Sequence, residues 1–302
     1  MAIASREDRT ALGLGLMALG VLGFTCIDTS AKWLLQHGVP ALQVVWCRYA
    51  AHLVLVLVAF LPREGASLFR TRHPWKQAFR AAGLFGSTML NFIALAYLPI
   101  TVTTTIMFAG PVVVTLLAIP MLGERVGKHR IAAVCVGFLG VLVVMQPWGA
   151  EFHPAMLLSL GALCSAAIYF ILTRQMAGEE SNGTLQVWGG GLPTLLLAPF
   201  VLPAWETPAT TGTGVMLAVI GVFGAVAHML ATAAHRYADA SVLAPMVYLQ
   251  LMSAAVAGLL VFGTWPTPWT LVGAMIIISA GLYIWHRERR RGVPHSKITP
   301  RL

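Results

Sequence analysis

Residues 101–142 read TVTTTIMFAG PVVVTLLAIP MLGERVGKHR IAAVCVGFLG VL. An apolar run closes at Leu122, another opens at Ile131, and Glu124, Arg125, Lys128 and Arg130 stand between them. A helix needs about 20 apolar residues to cross the hydrocarbon core. The stretch therefore predicts one span, a short basic turn and a second span. Extending the same reading outward, with Gly, Pro and charge clusters as breaks, gives spans at about 11–35, 41–61, 78–98, 101–122, 129–146, 154–174, 184–203, 213–235, 239–262 and 268–286. That makes an all-α membrane protein of ten transmembrane helices.

Composition agrees. Of 302 residues 58% are apolar and 10% charged, against about 25% charged in a soluble domain. Ten spans with short turns consume the chain, which excludes a water-soluble globule and leaves no room for a soluble domain. The net charge of +9 is distributed in a way that fixes orientation. Arg6 and Arg9 precede span 1; Arg63, Arg70, Arg72, Lys76 and Arg80 fall at the junction of spans 2 and 3; Arg125, Lys128 and Arg130 separate spans 4 and 5. Arg174 ends span 6, Arg236 ends span 8, and Arg287, Arg289, Arg290, Arg291, Lys297 and Arg301 follow span 10. Eighteen of the 20 basic residues thus lie at alternate junctions, so both termini are expected in the cytoplasm. The basic tail then reads as an anchor beside lipid headgroups and not as a nucleic-acid site. Arg6 and Arg9 also suit a signal peptide, but no small-residue cleavage site follows, so the first run is expected to be retained.

A shift of about 140 residues places Tyr97, Val102 and Gly123 on Tyr237, Val242 and Gly263, and one more residue places Gly140 on Gly281. Two halves of five spans each, residues 1–149 and 150–286 with a tail at 287–302, must lie in opposite orientations because five is odd. Such inverted repeats enclose a central cavity with a solute site near the midplane.

Charges and amides within spans are the candidates for that site. Asp28 and Lys32 are four apart on span 1, so they share a face and can pair. They can contact solute, or Lys32 can reach the headgroups and neutralise Asp28. Arg48 is open to the same two readings, as structural anchor or solute contact. Asn91, Tyr169, His228, Tyr248 and Gln250 need partners in hydrocarbon, from protein or a wet cavity, and Met107 adds a soft apolar surface. Gly110 and Pro111 interrupt span 4 and form a candidate hinge; Pro245 falls in the corresponding part of span 9. Gly137, Gly140, Gly273, Ala274, Ala280 and Gly281 suit close helix packing in spans 5 and 10. Cys26, Cys47, Cys135 and Cys164 form no CxxC pair, and neither a metal site nor a cofactor is expected. No HExxH, GxSxG or Walker A motif is present, so the chain is not expected to be an enzyme or an ATP-driven pump.

Ala94 to Tyr97, Thr101 to Thr105, Pro111 to Val114, Leu122 to Arg125, and Gly137 with Gly140 to Leu142 together resemble the EamA-type signature of the drug/metabolite transporter superfamily. Lys32 and Arg48 to Ala51 match the same pattern upstream. In the second half Phe262, Gly263 and Thr264 stand where the first has Leu122, Gly123 and Glu124. The resemblance implies transport of a small molecule by alternating access, a cavity lined mainly by spans 1, 3, 4, 6, 8 and 9, and peripheral spans 5 and 10. It is similar in particular to bacterial inner-membrane exporters of aromatic and neutral amino acids. Expected partners are a small-molecule solute and membrane lipids, with the chain a monomer or homodimer. A rival reading is a drug or quaternary-cation exporter, in which Asp28 is the essential carboxylate. A non-transporting membrane scaffold or enzyme is the second rival.

Overall fold

The computed structural model describes residues 6–122, 128–149, 152–176, 179–234, 237–238 and 243–290. These form helices α1 (Arg6–Gln36), α2 (Ala41–Glu64), α3 (Pro74–Tyr97), α4 (Ile100–Met107), α5 (Gly110–Leu122), α6 (Lys128–Met145), α7 (Ala155–Met176), α8 (Asn182–Val201), α9 (Thr211–Ala234), α10 (Leu249–Phe262) and α11 (Pro268–Arg290). Short 3₁₀ turns at Gly65–Phe69 and Ala244–Tyr248 precede α3 and α10, and there is no β-strand among the described residues. Seven helices are long and apolar enough to cross a membrane; Ile100–Val114, Ile131–Met145 and Met246–Phe262 are shorter apolar helices.

Helix ends follow local chemistry. Pro74 opens α3, where its missing N–H costs nothing. Ser181 caps α8 by accepting from the Thr184 backbone N–H at 3.0 Å. At the end of α10, Gly263 adopts φ 64°. Its N–H bonds the Leu259 carbonyl, and that of Thr264 bonds the Gly258 carbonyl at 2.9 Å. This paired closure requires a left-handed residue, which explains the glycine in Phe262-Gly263-Thr264. Gly123 and Glu124, its first-half counterparts, lie outside the described residues.

Lys76 and Arg80, expected at a junction, belong to α3. Span 4 is interrupted one step earlier than Gly110 and Pro111 suggested: α4 stops at Met107 and α5 restarts at Gly110. Phe108 still donates to the Thr104 carbonyl and Ala109 to that of Ile106, so the break tightens the chain without orphaning its N–H groups. Proline cannot supply the N–H that would carry a regular helix through the step. The Pro111 and Pro245 side chains lie outside the described part.

Packing joins distant parts of the chain. α1 lies along α9, α3 along α7, α2 against α8 and α9, α4 against α10, and α6 against α11. The α6–α11 contact is backbone-close: a Cβ at Gly273 would stand 2.7 Å from the Gly140 carbonyl oxygen and 3.1 Å from Val144 N. Both ends of α2 are tied across the fold. Gln43 donates to the Glu206 carbonyl at 2.8 Å and accepts from Glu206 N at 3.1 Å. At the other end Ser181 donates to Glu64 at 2.6 Å, and beyond it Thr71 donates to Glu180 at 2.6 Å and His73 pairs with Glu179 at 3.0 Å. Large apolar side chains such as Val58, Leu195, Phe200, Leu260 and Met275 face outward, a surface suited to lipid tails.

Candidate functional site

α2 packs against α3, α8 and α9, and Arg48 and His52 are four residues apart along it, so both project from one face. Arg48 is 8% exposed, and its guanidinium sits 4.7 Å from the centre of the Tyr49 ring. The Tyr49 hydroxyl donates to the Leu84 carbonyl at 2.9 Å and lies 2.8 Å from Thr88 Oγ1, fixing α2 to α3. His52 Nε2 is 3.2 Å from Gln186 Oε1 on α8. An amide oxygen only accepts, so Nε2 carries the hydrogen. The His52 ring also meets His228 of α9 edge-on, centroids 5.9 Å apart, and His228 in turn meets Phe24 of α1 at 5.0 Å. Gly190 permits this approach, since a Cβ there would stand 3.0 Å from His52 Cδ2.

Arg80 of α3 is 2% exposed and bonds only neutral acceptors: Gln77 Oε1 at 3.3 Å, Thr173 Oγ1 at 3.5 Å and the Leu185 carbonyl. It lies over the Tyr169 ring at 5.3 Å. Asp28 of α1 accepts from Asn91 Nδ2 of α3 at 3.1 Å, and Arg48 is the cation acting on its carboxylate. Arg48, Tyr49, His52, Leu84, Tyr169, Gln186, Gly190 and His228 line a small cavity of about 10 Å³, room for one water-sized sphere.

A larger cavity of about 420 Å³ lies between α4, α5, α7, α11 and the 3₁₀ turn before α10. Met107, Phe108, Leu163, Phe170, Tyr248 and Trp285 give it an apolar, aromatic wall, and Gly110 lies on it beside the break in span 4. Phe108 and Tyr248 meet edge-on at 5.7 Å. The two cavities share α7: Tyr169 lines the polar one and Phe170 the apolar one, ring centroids 5.2 Å apart.

Asp28, Asn91, Tyr169 and His228 thus gather with Arg48, while Met107 and Tyr248 line the apolar cavity. Gln250 lines neither. Lys32 does not pair with Asp28. It is 5% exposed and its amine donates to the Leu95 and Leu98 carbonyls at 2.9 and 2.6 Å, because a helix end offers unpaired, partially negative carbonyls close by. Tyr97, half-stacked on His153 at 5.7 Å, is exposed at the end of α3. His52, Arg80 and Gln186 were missed from sequence. The four-residue spacing of Arg48 and His52 in an apolar run was a usable signal; the partnership with Gln186, 134 positions on, was not.

The chain resembles known transporters along nearly its whole length. It is 29% identical to a riboflavin transporter of Rhizobium johnstonii over 96% of each chain. It is 28% identical to an S-adenosylmethionine uptake transporter of Rickettsia bellii over 92% of this chain and 95% of the other. A pseudopaline exporter of Pseudomonas aeruginosa matches at 23% over 80% and 84%. A solved crystal structure shares the fold with a TM-score of 0.61 at 17% identity, over 95% of this chain and 100% of its own. These named relatives are transporters and not enzymes, and with seven helices long and apolar enough to cross a membrane the chain is a multi-pass protein of a bacterial membrane. The EamA-like transporter family model matches twice, at residues 11–146 and 153–285, and the chain belongs to that family.

Proposed function

We propose that the chain is a secondary transporter carrying a ring-bearing organic metabolite across the bacterial inner membrane by alternating access. Ten spans form two inverted five-span halves, with both termini cytoplasmic. The observation that carries this reading is the buried polar cluster, built from Arg48, His52 and Arg80 of the first family match and Tyr169, Gln186 and His228 of the second. Packing supports the inverted plan. Exchanging each span for the one five places on turns the α1–α9 contact into α7–α3, α2–α9 into α8–α3, and α1–α10 into α7–α5, all of which occur. Gly110, at the break in span 4, is the natural hinge, with Pro111 beside it.

In this reading the solute's ring occupies the aromatic cavity at Met107 and Tyr248, whose volume is of ordinary ligand size. Its polar end reaches past Tyr169 toward His228, Arg48, Asp28 and Asn91. Lys32 holds the end of α3 in place. The names of the relatives move the substrate from amino acid export toward the riboflavin and S-adenosylmethionine class of ring-bearing metabolites. Purified protein in liposomes, offered labelled riboflavin, S-adenosylmethionine, tryptophan and leucine, tests this. Saturable flux of riboflavin or S-adenosylmethionine is expected, with no saturable flux of the amino acids. Flux of tryptophan or leucine alone would return the substrate to the amino acids, and no saturable flux from folded protein would overturn the reading.

A further inference from the structure

Buried charge around the polar cavity does not balance. Arg48 and Arg80 are both nine-tenths or more buried, as is Lys32 of α1, and Asp28 is the one carboxylate among the described residues on which Arg48 acts. The Glu64, Glu179 and Glu180 carboxylates bond at one end of the bundle instead, and Glu206, exposed, is tied to Gln43 through its backbone at the other. Arg80 has neutral acceptors for its donors, whereas Arg48 Nε is buried with no hydrogen-bond partner among the described residues. A charged side chain in the membrane interior costs at least about 2.5–3.5 kcal/mol on insertion scales, and more when a donor is left unmade. No local structural bond offsets that cost at Arg48 Nε.

We propose that Arg48, flanked by His52 and His228, is a subsite for one carboxylate group carried by the transported solute. Lys32 and Arg80 are held by neutral acceptors, so it is the unmade donor at Arg48 Nε that marks the place one carboxylate group would fill. A carboxylate matches the planar guanidinium fork in a way a point charge does not. The guanidinium lies 4.7 Å from the centre of the Tyr49 ring, His52 directs Nε2 to Gln186, and Arg48 and His228 both border the gap. With about 10 Å³ open, the subsite is closed here and widens only when the halves move apart. The carboxylate's identity as part of the solute rests on the transport reading, and of the two solutes named for the relatives S-adenosylmethionine carries a carboxylate and riboflavin does not, so the subsite favours the former; the existence of the subsite does not depend on that reading.

Thermal unfolding of the full chain in detergent tests the subsite without a transported solute. Benzoate, acetate and inorganic phosphate are titrated at constant ionic strength, with chloride as balance. A ligand that binds only folded protein raises Tm with saturation. A saturable rise with benzoate or acetate is expected, abolished in Arg48→Gln and shifted to about tenfold higher concentration in Arg48→Lys, which keeps charge but loses the fork. If Arg48→Gln does not fold, His228→Asn carries the test, since it keeps the arginines and Asp28; a weaker response is expected. A wild-type Tm that ignores carboxylates, a response to phosphate alone, or a carboxylate response unchanged in the variants that fold would overturn the proposal. Flux without an anion response would sink the subsite and leave the transporter standing; an anion response without flux would do the reverse.

Discussion

Lys32→Met is expected to lower stability by about 2–6 kcal/mol, because the Leu95 and Leu98 carbonyls each lose a charged donor and an orphaned buried acceptor costs about 1–3 kcal/mol. Methionine preserves most of the apolar stem, so the loss reports on the amine and not on a cavity. Lys32 also lies 5.4 Å from the centre of the Phe262 ring, so it links the end of α3 to the end of α10. Chemical unfolding of the purified variant measures the effect. A variant of wild-type stability that had lost solute flux would instead make Lys32 a solute contact, the role its position in span 1 first suggested.

The second large effect is expected at Gly221. A Cβ there would stand 2.9 Å from the Arg48 carbonyl oxygen and 3.2 Å from Ala51 Cα, with the Ala51 methyl closer still. These are mostly backbone atoms of α2, which cannot rotate aside. Gly221→Leu therefore has to push α9 off α2 at the level of Arg48 and Ala51, and overpacking of this kind costs about 3 kcal/mol or more. Loss of a monodisperse, folded species in size-exclusion chromatography is expected. Gly15→Leu is the matched control, since nothing lies within 4 Å of a Cβ at that position. Equal behaviour of the two variants would show that the α2–α9 contact is looser than described here.

The course of the chain was legible because apolar runs set the helices, so α2 begins at Ala41 and α11 at Pro268, where those runs start. The basic clusters did not mark the ends: α2 runs through Arg63 to Glu64, and α11 through Arg287 to Arg290. Side-chain partnerships were legible only when local. Arg48 and His52 share a face by spacing alone, but the partners Gln186 and His228 arrive from the other half of the chain. Arg80 was misread as a junction residue because its charge outweighed its place inside α3; neutral acceptors from α3, α7 and α8 make its burial tolerable. The Asp28–Lys32 pair failed for a related reason. An i,i+4 spacing permits a contact, yet the carbonyls closing α3 are better placed for the amine.

The central claim is that solute passes through the polar cluster between the two halves. With Cys26, Cys47, Cys135 and Cys164 replaced, His228→Cys introduces a thiol at that cluster. Its rate of labelling by a small, membrane-impermeant thiol reagent can be followed in vesicles with and without the transported solute. Labelling from the aqueous phase is expected, slowed several-fold by saturating solute. Labelling unaffected by a solute the protein carries, or a thiol unreachable from either side during turnover, would contradict the account.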